Sequence, residues 1–322
     1  MSAPIPVPRA ELHVHLEGTV LPDTLLRIAR RNGLALPAET AEGIAALYAF
    51  TDFNHFLDVW NLTTNCLQMA EDFRDITVDY AAQAAVHGAR YVEAIFSPTA
   101  RVLRGVAWEA LFEGYADGVA AAWEDHGVIM RLTPDLFWSV PVELAEQTAR
   151  WAVRYADRGV VGLGIGGQEA WAVPTDYARA FTIAREGGLA AVPHAGEVTG
   201  PDLVREVLEV LAPRRIRHGI GAAADPALLG ELRARGVGLD VCPTSNVRTG
   251  AVAHTDAVPL EVLSEAGVAF TVNTDDPAMF GTDLGREHAI AVARGVTEQQ
   301  LWANALSTCA AEPALVAQMH GW

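Results

Sequence analysis

The sequence predicts a (β/α)8 TIM barrel, an α/β fold, and three observations point to it. Short apolar runs, typical of buried parallel strands, alternate with longer stretches of helical periodicity. Eight such runs lie between Glu11 and Asn273. Ionisable side chains follow several of them at the carboxyl end, where the active sites of these barrels form.

The predicted strands are brief and bounded by Gly, Pro or charged residues. They are Glu11–His15, Arg90–Phe96, Ile129–Asp135, Val161–Ile165, Ala190–His194, Arg215–His218, Gly238–Val241 and Ala269–Asn273. Strands that alternate with helices pair in parallel through right-handed crossovers. Eight of them favour a closed barrel over an open doubly wound sheet.

The predicted helices between these strands often begin near Pro or Asp and end at Gly, such as Gly159, Gly187, Gly236 and Gly267. They are Ala107–Asp125, Pro141–Arg158, Pro174–Glu186, Asp202–Leu211, Pro226–Arg235 and Leu260–Ala266.

One long insertion separates the first two strands. Helical patterns at Pro22–Arg31, Phe53–Cys66 and Phe73–Val86 fill it. An insertion at this position lies over the barrel mouth, so we expect a helical cap within about residues 19–88. No linker or repeat divides the chain. We therefore expect a single domain over residues 1–322, closed by a helical tail at Glu298–His320.

Composition excludes several classes of function. With 51% hydrophobic residues and a formal net charge of −17, the chain is a globular protein whose surface repels nucleic acid and anionic membranes. All 23 basic residues are arginine, because the sequence contains no lysine. That excludes a P-loop lysine, a Schiff-base lysine and a carboxylated lysine that bridges two metals.

The cysteines and the N-terminus indicate the compartment. Cys66, Cys242 and Cys309 are too few and too widely spaced for a disulfide framework or a CxxC metal pair. Met1–Arg9 has no apolar signal core, and no apolar run is long enough to span a membrane. We expect a cytoplasmic protein with no membrane partner, and the oligomeric state stays open.

Ionisable residues cluster after four predicted strands. The alternation of strand 1 places His13 and His15 on one face, opposite Val14 and Leu16. The other groups follow strands 5, 6 and 8, and they are His194, Glu197, His218, Asp275 and Asp276. Each alone has a structural explanation, such as a helix cap or a core histidine. Four buried ionisable groups at one barrel end would each cost several kcal/mol unless paired or metal-bound.

Three imidazoles and a carboxylate, from His13, His15, His194 and Asp275, suit one divalent ion. Zinc is the first expectation, with iron or manganese as alternatives. Without a bridging lysine the site is expected to be mononuclear, which leaves Glu197, His218 and Asp276 as catalytic candidates. The remaining histidines lack ligand spacing and are assigned to surface or capping roles; they are His55, His87, His126, His254, His288 and His320.

Five motifs, taken in order, resemble the adenosine/adenine deaminase family of the amidohydrolase superfamily. They are His13-Val14-His15, His194-Ala195-Gly196-Glu197, His218-Gly219, Cys242-Pro243-Thr244-Ser245-Asn246 and Asn273-Thr274-Asp275-Asp276-Pro277. The resemblance runs from about Arg9 to past Asp283, and it implies zinc held by the four ligands above. On that basis Glu197 protonates N1 of an adenine ring and His218 takes or orients the proton of the attacking water. Asp276 hydrogen-bonds N7, and the Gly167 N–H meets N3.

Two residues depart from the nucleoside-specific pattern. Those members typically carry HLDG after strand 1, whereas this chain has Glu17 in His15-Leu16-Glu17-Gly18. A Glu here resembles adenine-base deaminases and members that act on 5′-modified nucleosides. Arg248 follows strand 7 and is either a solvated loop arginine or a bidentate partner for a substrate carboxylate. Such a substrate belongs to the aminodeoxyfutalosine deaminase branch of menaquinone synthesis.

We therefore expect hydrolytic deamination of a small-molecule purine nucleoside, adenosine or a 5′-modified adenosine such as 6-aminodeoxyfutalosine, to the 6-oxo purine and ammonia. The first alternative is deamination of free adenine, which predicts a pocket closed where a ribose would lie. A remote alternative is a non-catalytic purine-binding module. That module would not need Glu197 or His218.

Overall fold

The computed structural model describes residues 7–50 and 53–322, and among these all side chains except those of residues 53 and 54. Residues 1–6 lie outside the described residues. They belong to the segment Met1–Arg9, for which the sequence predicts no secretion signal. The strands follow the predicted runs. They are β1 (Arg9–His15), β2 (Ala89–Phe96), β3 (Ile129–Phe137), β4 (Gly162–Gly166), β5 (Ala190–Ala191), β6 (His194–Ala195), β7 (Arg215–His218), β8 (Gly238–Val241) and β9 (Phe270–Val272).

The strands form two sheets of parallel ladders that together make up the barrel. β1 to β5 pair in sequence order in one sheet, and β6 to β9 do so in a second. β5 runs into β6 through Val192 and Pro193, and the predicted strand Ala190–His194 is interrupted there because Pro cannot donate to a ladder. At the other edges a parallel bridge joins Val14 to Asp275. The predicted (β/α)8 barrel is confirmed.

Helices surround the barrel. They are α1 (Pro22–Arg31), α2 (Ala41–Leu47), α3 (Phe53–Thr64), α4 (Ala70–Val86), α5 (Pro98–Val102), α6 (Trp108–His126), α7 (Val142–Arg154), α8 (Pro174–Glu186), α9 (Pro201–Leu211), α10 (Pro226–Arg235), α11 (Pro243–Arg248), α12 (Leu260–Ala266), α13 (Pro277–Phe280), α14 (Leu284–Ala293), α15 (Glu298–Thr308) and α16 (Pro313–Met319). Local sequence fixes their ends. Asp225 caps α10 by accepting the Ala227 N–H at 2.9 Å, and Gly236 ends it at φ 68°.

The insertion after β1 divides into two parts. α3 lies at the mouth and contributes Phe56, Leu57 and Trp60 to the cavity there. α4 instead packs against α6, where a Cβ at Gly114 or Gly118 would overlap Ala70 or Thr77. The last part of the predicted cap therefore belongs to the helical layer of the barrel.

The C-terminal tail closes the opposite end of the barrel. The predicted helical tail Glu298–His320 consists of two helices, α15 and α16, because Pro313 begins a new helix after a short break. Ala305 and Leu306 of α15 and Met319 of α16 pack with Leu12 and Tyr91 in an apolar cluster below the barrel. Among the described residues, no helix combines the length and apolar character that a bilayer crossing requires.

Candidate active site

The four predicted metal ligands meet at one point at the carboxyl end of the barrel. The Nε2 atoms of His13 and His194 are 3.2 Å apart, and the Nε2 atoms of His13 and His15 each lie 3.3 Å from Asp275 Oδ1. The three imidazoles form a group whose nitrogens all lie within 4.8 Å of one another. Residues separated by up to 262 positions thus share one small volume.

Backbone contacts hold Asp275 in this position. His15 N–H donates to Asp275 O at 2.8 Å, and Asp275 N–H donates to His13 O at 3.1 Å. Asp275 has a φ of 66°, which a non-glycine residue adopts only when its surroundings enforce it. The Ser245 hydroxyl donates to Asp275 Oδ2 at 2.6 Å, leaving Oδ1 directed at the histidines.

The charge state of the cluster suits a cation. Burial lowers the pKa of His15 to about 3 and the pKa values of His13 and His194 well below their usual range, so all three rings are neutral donors. Burial opposes ionisation of Asp275, but the imidazoles and Ser245 outweigh it and lower its pKa. Three neutral nitrogens and one carboxylate oxygen form a donor set that fits a divalent metal ion.

A second group, His13, His218 and Cys242, also brings ligand atoms together. Burial and the nearby Asp275 charge raise the pKa of the Cys242 thiol well above its usual range. A protonated thiol is a poor metal ligand. The histidine and aspartate set is therefore the better candidate.

The outer nitrogens of two candidate ligands have acceptors. His13 Nδ1 lies 3.3 Å from Asp240 O, and His194 Nδ1 lies 3.0 Å from Ile165 O. Such acceptors fix the proton on the outer nitrogen and turn the inner lone pair toward a metal. A Cβ at Gly166 would come within 2.8 Å of the His194 ring, so this approach needs glycine.

Asp135 is a site residue that our sequence analysis missed. It follows the same strand-end pattern as the others, on β3, and it lines the cavity. Arg217 holds it through an ion pair between Nη1 and Oδ1. Asp135 Oδ2 is buried and makes no hydrogen bond to a described residue.

Glu197 and His218 lie beside the ligand cluster. His218 Nε2 is 3.6 Å from Glu197 Oε2 and 3.8 Å from Asp275 Oδ2. Burial, together with the Asp275 and Glu169 charges, raises the pKa of Glu197, although His218 and Thr249 oppose the shift. A carboxyl group with a raised pKa is suited to carry a proton at neutral pH.

Asp276 and Gly167 also reach the cavity. Burial and three neighbouring carboxylates raise the pKa of Asp276 well above its usual value, and its Oδ1 is buried with no described partner. Gly18 permits this position, because a Cβ there would overlap the Asp276 carboxyl. Gly167 adopts a φ of 90° beside Phe137, which exposes its backbone to the cavity.

These groups surround a cavity of about 220 Å³ at the barrel mouth. Its polar lining residues include His15, Asp135, His194, Glu197, His218, Asp275 and Asp276, and its apolar ones include Phe56, Leu57, Trp60, Phe137 and Phe280. A lining that combines ionisable groups with aromatic side chains suits a planar heterocycle.

Glu17 and Arg248 lie outside this lining. The Glu17 carboxyl is fully buried behind Ser97, whose N–H donates to its Oε1 at 2.8 Å. Arg248 is exposed, and its guanidinium lies 4.4 Å from the centre of the Phe50 ring. Phe50 in turn contacts Phe56 and Phe280 of the cavity wall. Neither residue therefore lines the cavity. Glu17 contacts the lining residue Ser97, and Arg248 contacts Phe50, which packs against the lining.

His288 differs from the surface or capping role expected for it. It is buried, and its Nδ1 lies 2.6 Å from Glu298 Oε2. Glu298 also binds Arg9, so this histidine is part of an ion-pair cluster that joins α14, α15 and β1. The position of a histidine on a predicted helix does not show whether its face of the helix is buried.

Comparisons with known proteins agree with this geometry. The family model described as adenosine deaminase matches residues 8–317. The chain is 53% identical to an aminodeoxyfutalosine deaminase of Acidothermus cellulolyticus, over 92% of this chain and 85% of that protein. It is 40% identical to an adenine deaminase of Cupriavidus necator, over 85% and 78%. The crystal structure of an adenine deaminase from Arthrobacter aurescens superposes with a TM-score of 0.90 at 34% identity, covering 98% of this chain and 97% of that one.

Proposed function

Because the chain belongs to the adenosine deaminase family, we propose that it hydrolyses the 6-amino group of an adenine nucleoside modified at its 5′ position. As a member of this family the chain is an aminohydrolase with a divalent metal ion and a small-molecule purine substrate. The observation that carries the proposal is the meeting of His13, His15, His194 and Asp275 beside Glu197 and His218, at the base of one cavity.

We assign His13, His15, His194 and Asp275 as the residues that would hold the metal, and zinc as the ion, because imidazole nitrogen and carboxylate oxygen are ligands that zinc takes in hydrolases. A divalent ion held there would lower the pKa of a water molecule and so supply a nucleophile at neutral pH. The other steps depend on side chains of the protein.

His218 is assigned as the proton acceptor for the attacking water. Its Nδ1 lies 3.2 Å from Asn246 Nδ2, which orients the ring. Nε2 faces Glu197 and Asp275, where the water would attack.

Glu197 is assigned as the acid that protonates N1 of the purine, which makes C6 electrophilic. Asp276, also with a raised pKa, would donate to N7, and the Gly167 N–H would meet N3. The C6–O bond forms, the C6–N bond breaks, and the amino group leaves as ammonia after taking up a proton. The product is the 6-oxo purine.

The relatives favour a 5′-modified substrate, and 6-aminodeoxyfutalosine is the leading candidate because the 53% identical protein is an aminodeoxyfutalosine deaminase. Free adenine is the second candidate, because two adenine deaminases are also close in sequence or structure.

Ammonia release tests the proposal directly. Purified protein with measured metal content is assayed on adenine, adenosine, 2′-deoxyadenosine, methylthioadenosine, S-adenosylhomocysteine and 6-aminodeoxyfutalosine. We expect the highest kcat/KM with 6-aminodeoxyfutalosine, and loss of activity on chelation that zinc restores. The highest kcat/KM with free adenine would favour the second candidate. Metal-loaded protein that releases no ammonia from any of them would contradict the proposal.

A further inference from the structure

Glu197 is held by two residues from other loops, and we propose that Glu169 and Thr249 are positioning residues that aim its carboxyl group at the substrate. Glu169 follows β4 and Thr249 follows α11, so neither belongs to the loop that carries Glu197. The inference rests on the proposed role of Glu197 as the acid, and it assigns functions to two residues that no motif of the sequence indicated.

Glu169 binds the backbone of the loop after β6. Its Oε1 accepts the Glu197 N–H at 2.9 Å. Its Oε2 accepts the N–H groups of Val198 and Thr199 at 3.1 and 2.8 Å, and the Thr199 hydroxyl at 2.7 Å. The Glu169 side chain is buried, so these are strong charge-assisted bonds.

This arrangement fixes where the Glu197 side chain starts. The backbone N–H groups of Glu197, Val198 and Thr199 come after the short strand β6. Among the described residues, they donate to no carbonyl of a helix or a β-ladder. One carboxylate accepts all three, which locks the turn that begins at Gly196 with a φ of 72°. The Cα–Cβ bond of Glu197 then points into the cavity.

Glu169 binds the backbone N–H of Glu197, whereas Thr249 binds its side-chain carboxyl group. The Thr249 hydroxyl donates to Glu197 Oε1 at 3.0 Å, while Oε2 is the oxygen nearest His218. The same hydroxyl also lies 3.0 Å from Ser245 O, but its one hydrogen serves one acceptor at a time.

The choice of acceptor determines which oxygen of Glu197 carries the proton. When Thr249 donates to Oε1, that oxygen is occupied as an acceptor and the acidic proton resides on Oε2. Oε2 is the oxygen that lies 3.6 Å from Nε2 of His218, another residue of the cavity lining. Without the hydroxyl, the proton distributes over both oxygens and the carboxyl group can rotate.

The two residues act on Glu197 with opposite electrostatic signs. A hydroxyl that donates to a carboxylate lowers the pKa of Glu197, and the Glu169 charge raises it. The other groups that act on Glu197 are His218, which lowers its pKa, and Asp275, which raises it. Thr249→Val should therefore raise the pKa of Glu197, and Glu169→Gln should lower it.

The test compares Thr249→Val, Thr249→Ser and Glu169→Gln with the wild-type holoenzyme on its best purine substrate. We expect kcat to fall about tenfold to a hundredfold in Thr249→Val and Glu169→Gln, because a misdirected group loses rate while binding is retained. KM should change little. Thr249→Ser keeps the hydroxyl and should recover most of the loss.

The pH dependence separates positioning from general damage. Activity needs protonated Glu197, so the rate falls as pH rises through its pKa. That alkaline limb should move to higher pH in Thr249→Val and to lower pH in Glu169→Gln. A structural defect would not displace the limbs in opposite directions.

Matched controls account for the substitutions themselves. Thr182→Val removes a hydroxyl that makes the same bond to a carbonyl four residues earlier, Ala178 O, far from the cavity. Glu186→Gln neutralises an exposed carboxylate at the end of α8. Both should match wild type in kcat and pH profile, and all variants are checked for metal content.

Three outcomes would overturn the inference alone while wild-type enzyme is active: an unchanged kcat in Thr249→Val, equal losses in the Val and Ser variants, or limbs that move the same way. Wild-type protein that holds its metal but deaminates no purine would instead overturn the proposed function and this inference together.

Discussion

Buried charges lie at both ends of the barrel, and the protein satisfies them differently. At the closed end, which we call the floor network, Arg215 donates to Glu93 Oε2 at 2.6 Å and to Asp240 Oδ2 at 2.9 Å, and all three side chains are fully buried. Arg215 also donates to Thr308 O, and Tyr91 donates to Glu93. Every polar atom of the three charged groups has a partner.

At the mouth, several buried polar atoms have none among the described residues. Asp276 Oδ1, Asp135 Oδ2 and Asn246 Oδ1 make no hydrogen bond, and His13 and His15 hold their lone pairs toward an open point. Each unpaired buried group costs about 1–3 kcal/mol. The charged groups of the floor network carry no such cost.

The difference teaches which charges are structural. A saturated network needs nothing further, so the floor network stabilises the barrel and the C-terminal tail that covers it. At the mouth, the unpartnered atoms lie beside the residues that we propose hold the ion and the purine. Substitutions at the two ends should therefore separate activity from stability.

The largest expected effect is at the mouth. Glu197→Gln keeps the shape of the side chain but removes its proton donor, so kcat should fall about 10²–10⁴-fold. Metal content and the free energy of unfolding should stay near wild-type values, since a neutral amide of the same shape replaces a carboxyl group whose pKa is raised by burial. Steady-state ammonia release, metal analysis and urea titration on one preparation measure all three.

Glu186→Gln is the control for that substitution, because it makes the same chemical change at an exposed site. A Glu197→Gln protein with bound metal and a rate near that of wild type would contradict the assignment of Glu197 as the acid.

The sequence was sufficient for the mouth because its signals are local. Alternation along β1 places His13 and His15 on one face, and the end of a barrel strand marks His194, His218 and Asp275 as neighbours. Asp135 has the same signal and was overlooked. The barrel followed from the alternation of strands and helices, although Pro193 splits one strand and α4 belongs to the helical layer rather than the cap.

The floor network and the two positioning residues had no such signal. Arg215 meets Glu93 across 122 positions, and Glu169 meets the Glu197 loop across 28 to 30. The packing of loops determines which acceptor a buried arginine binds. It also determines which backbone N–H groups a carboxylate binds. A single sequence does not encode that in any short pattern.

The next effect in size is at the floor. Arg215→Met leaves Glu93 and Asp240 buried without a countercharge and should lower the free energy of unfolding by about 3–5 kcal/mol. The folded fraction should keep its kcat, because the network does not line the cavity. Urea titration and ammonia release measure the two effects.

Two further variants test the prediction for the floor network: a milder change within it and a control at an exposed ion pair. Thr271→Val removes the hydrogen bond to Asp240 Oδ1 and the one that Asn273 Nδ2 donates to the same hydroxyl, and it should cost about 1–3 kcal/mol, which keeps the test informative where Arg215→Met does not fold. Arg150→Met breaks an exposed pair with Glu146 and should cost about 0–1 kcal/mol. A stable Arg215→Met protein with a depressed kcat would reverse the proposed division between the two ends.

The smallest expected effect is at the rim of the cavity. Arg248 lies there, and it belongs neither to the floor network nor to the buried groups at the mouth. Its guanidinium is exposed over Phe50, so its contribution to stability is limited to about 0.5–1 kcal/mol. If it binds a substrate carboxylate, Arg248→Ala should lower kcat/KM about tenfold for a carboxylate-bearing adenine nucleoside, which corresponds to ~1.4 kcal/mol, and leave adenosine unchanged. Equal losses on both substrates would mean that the arginine only supports the Phe50–Phe280 wall, and the substrate carboxylate would then need another partner.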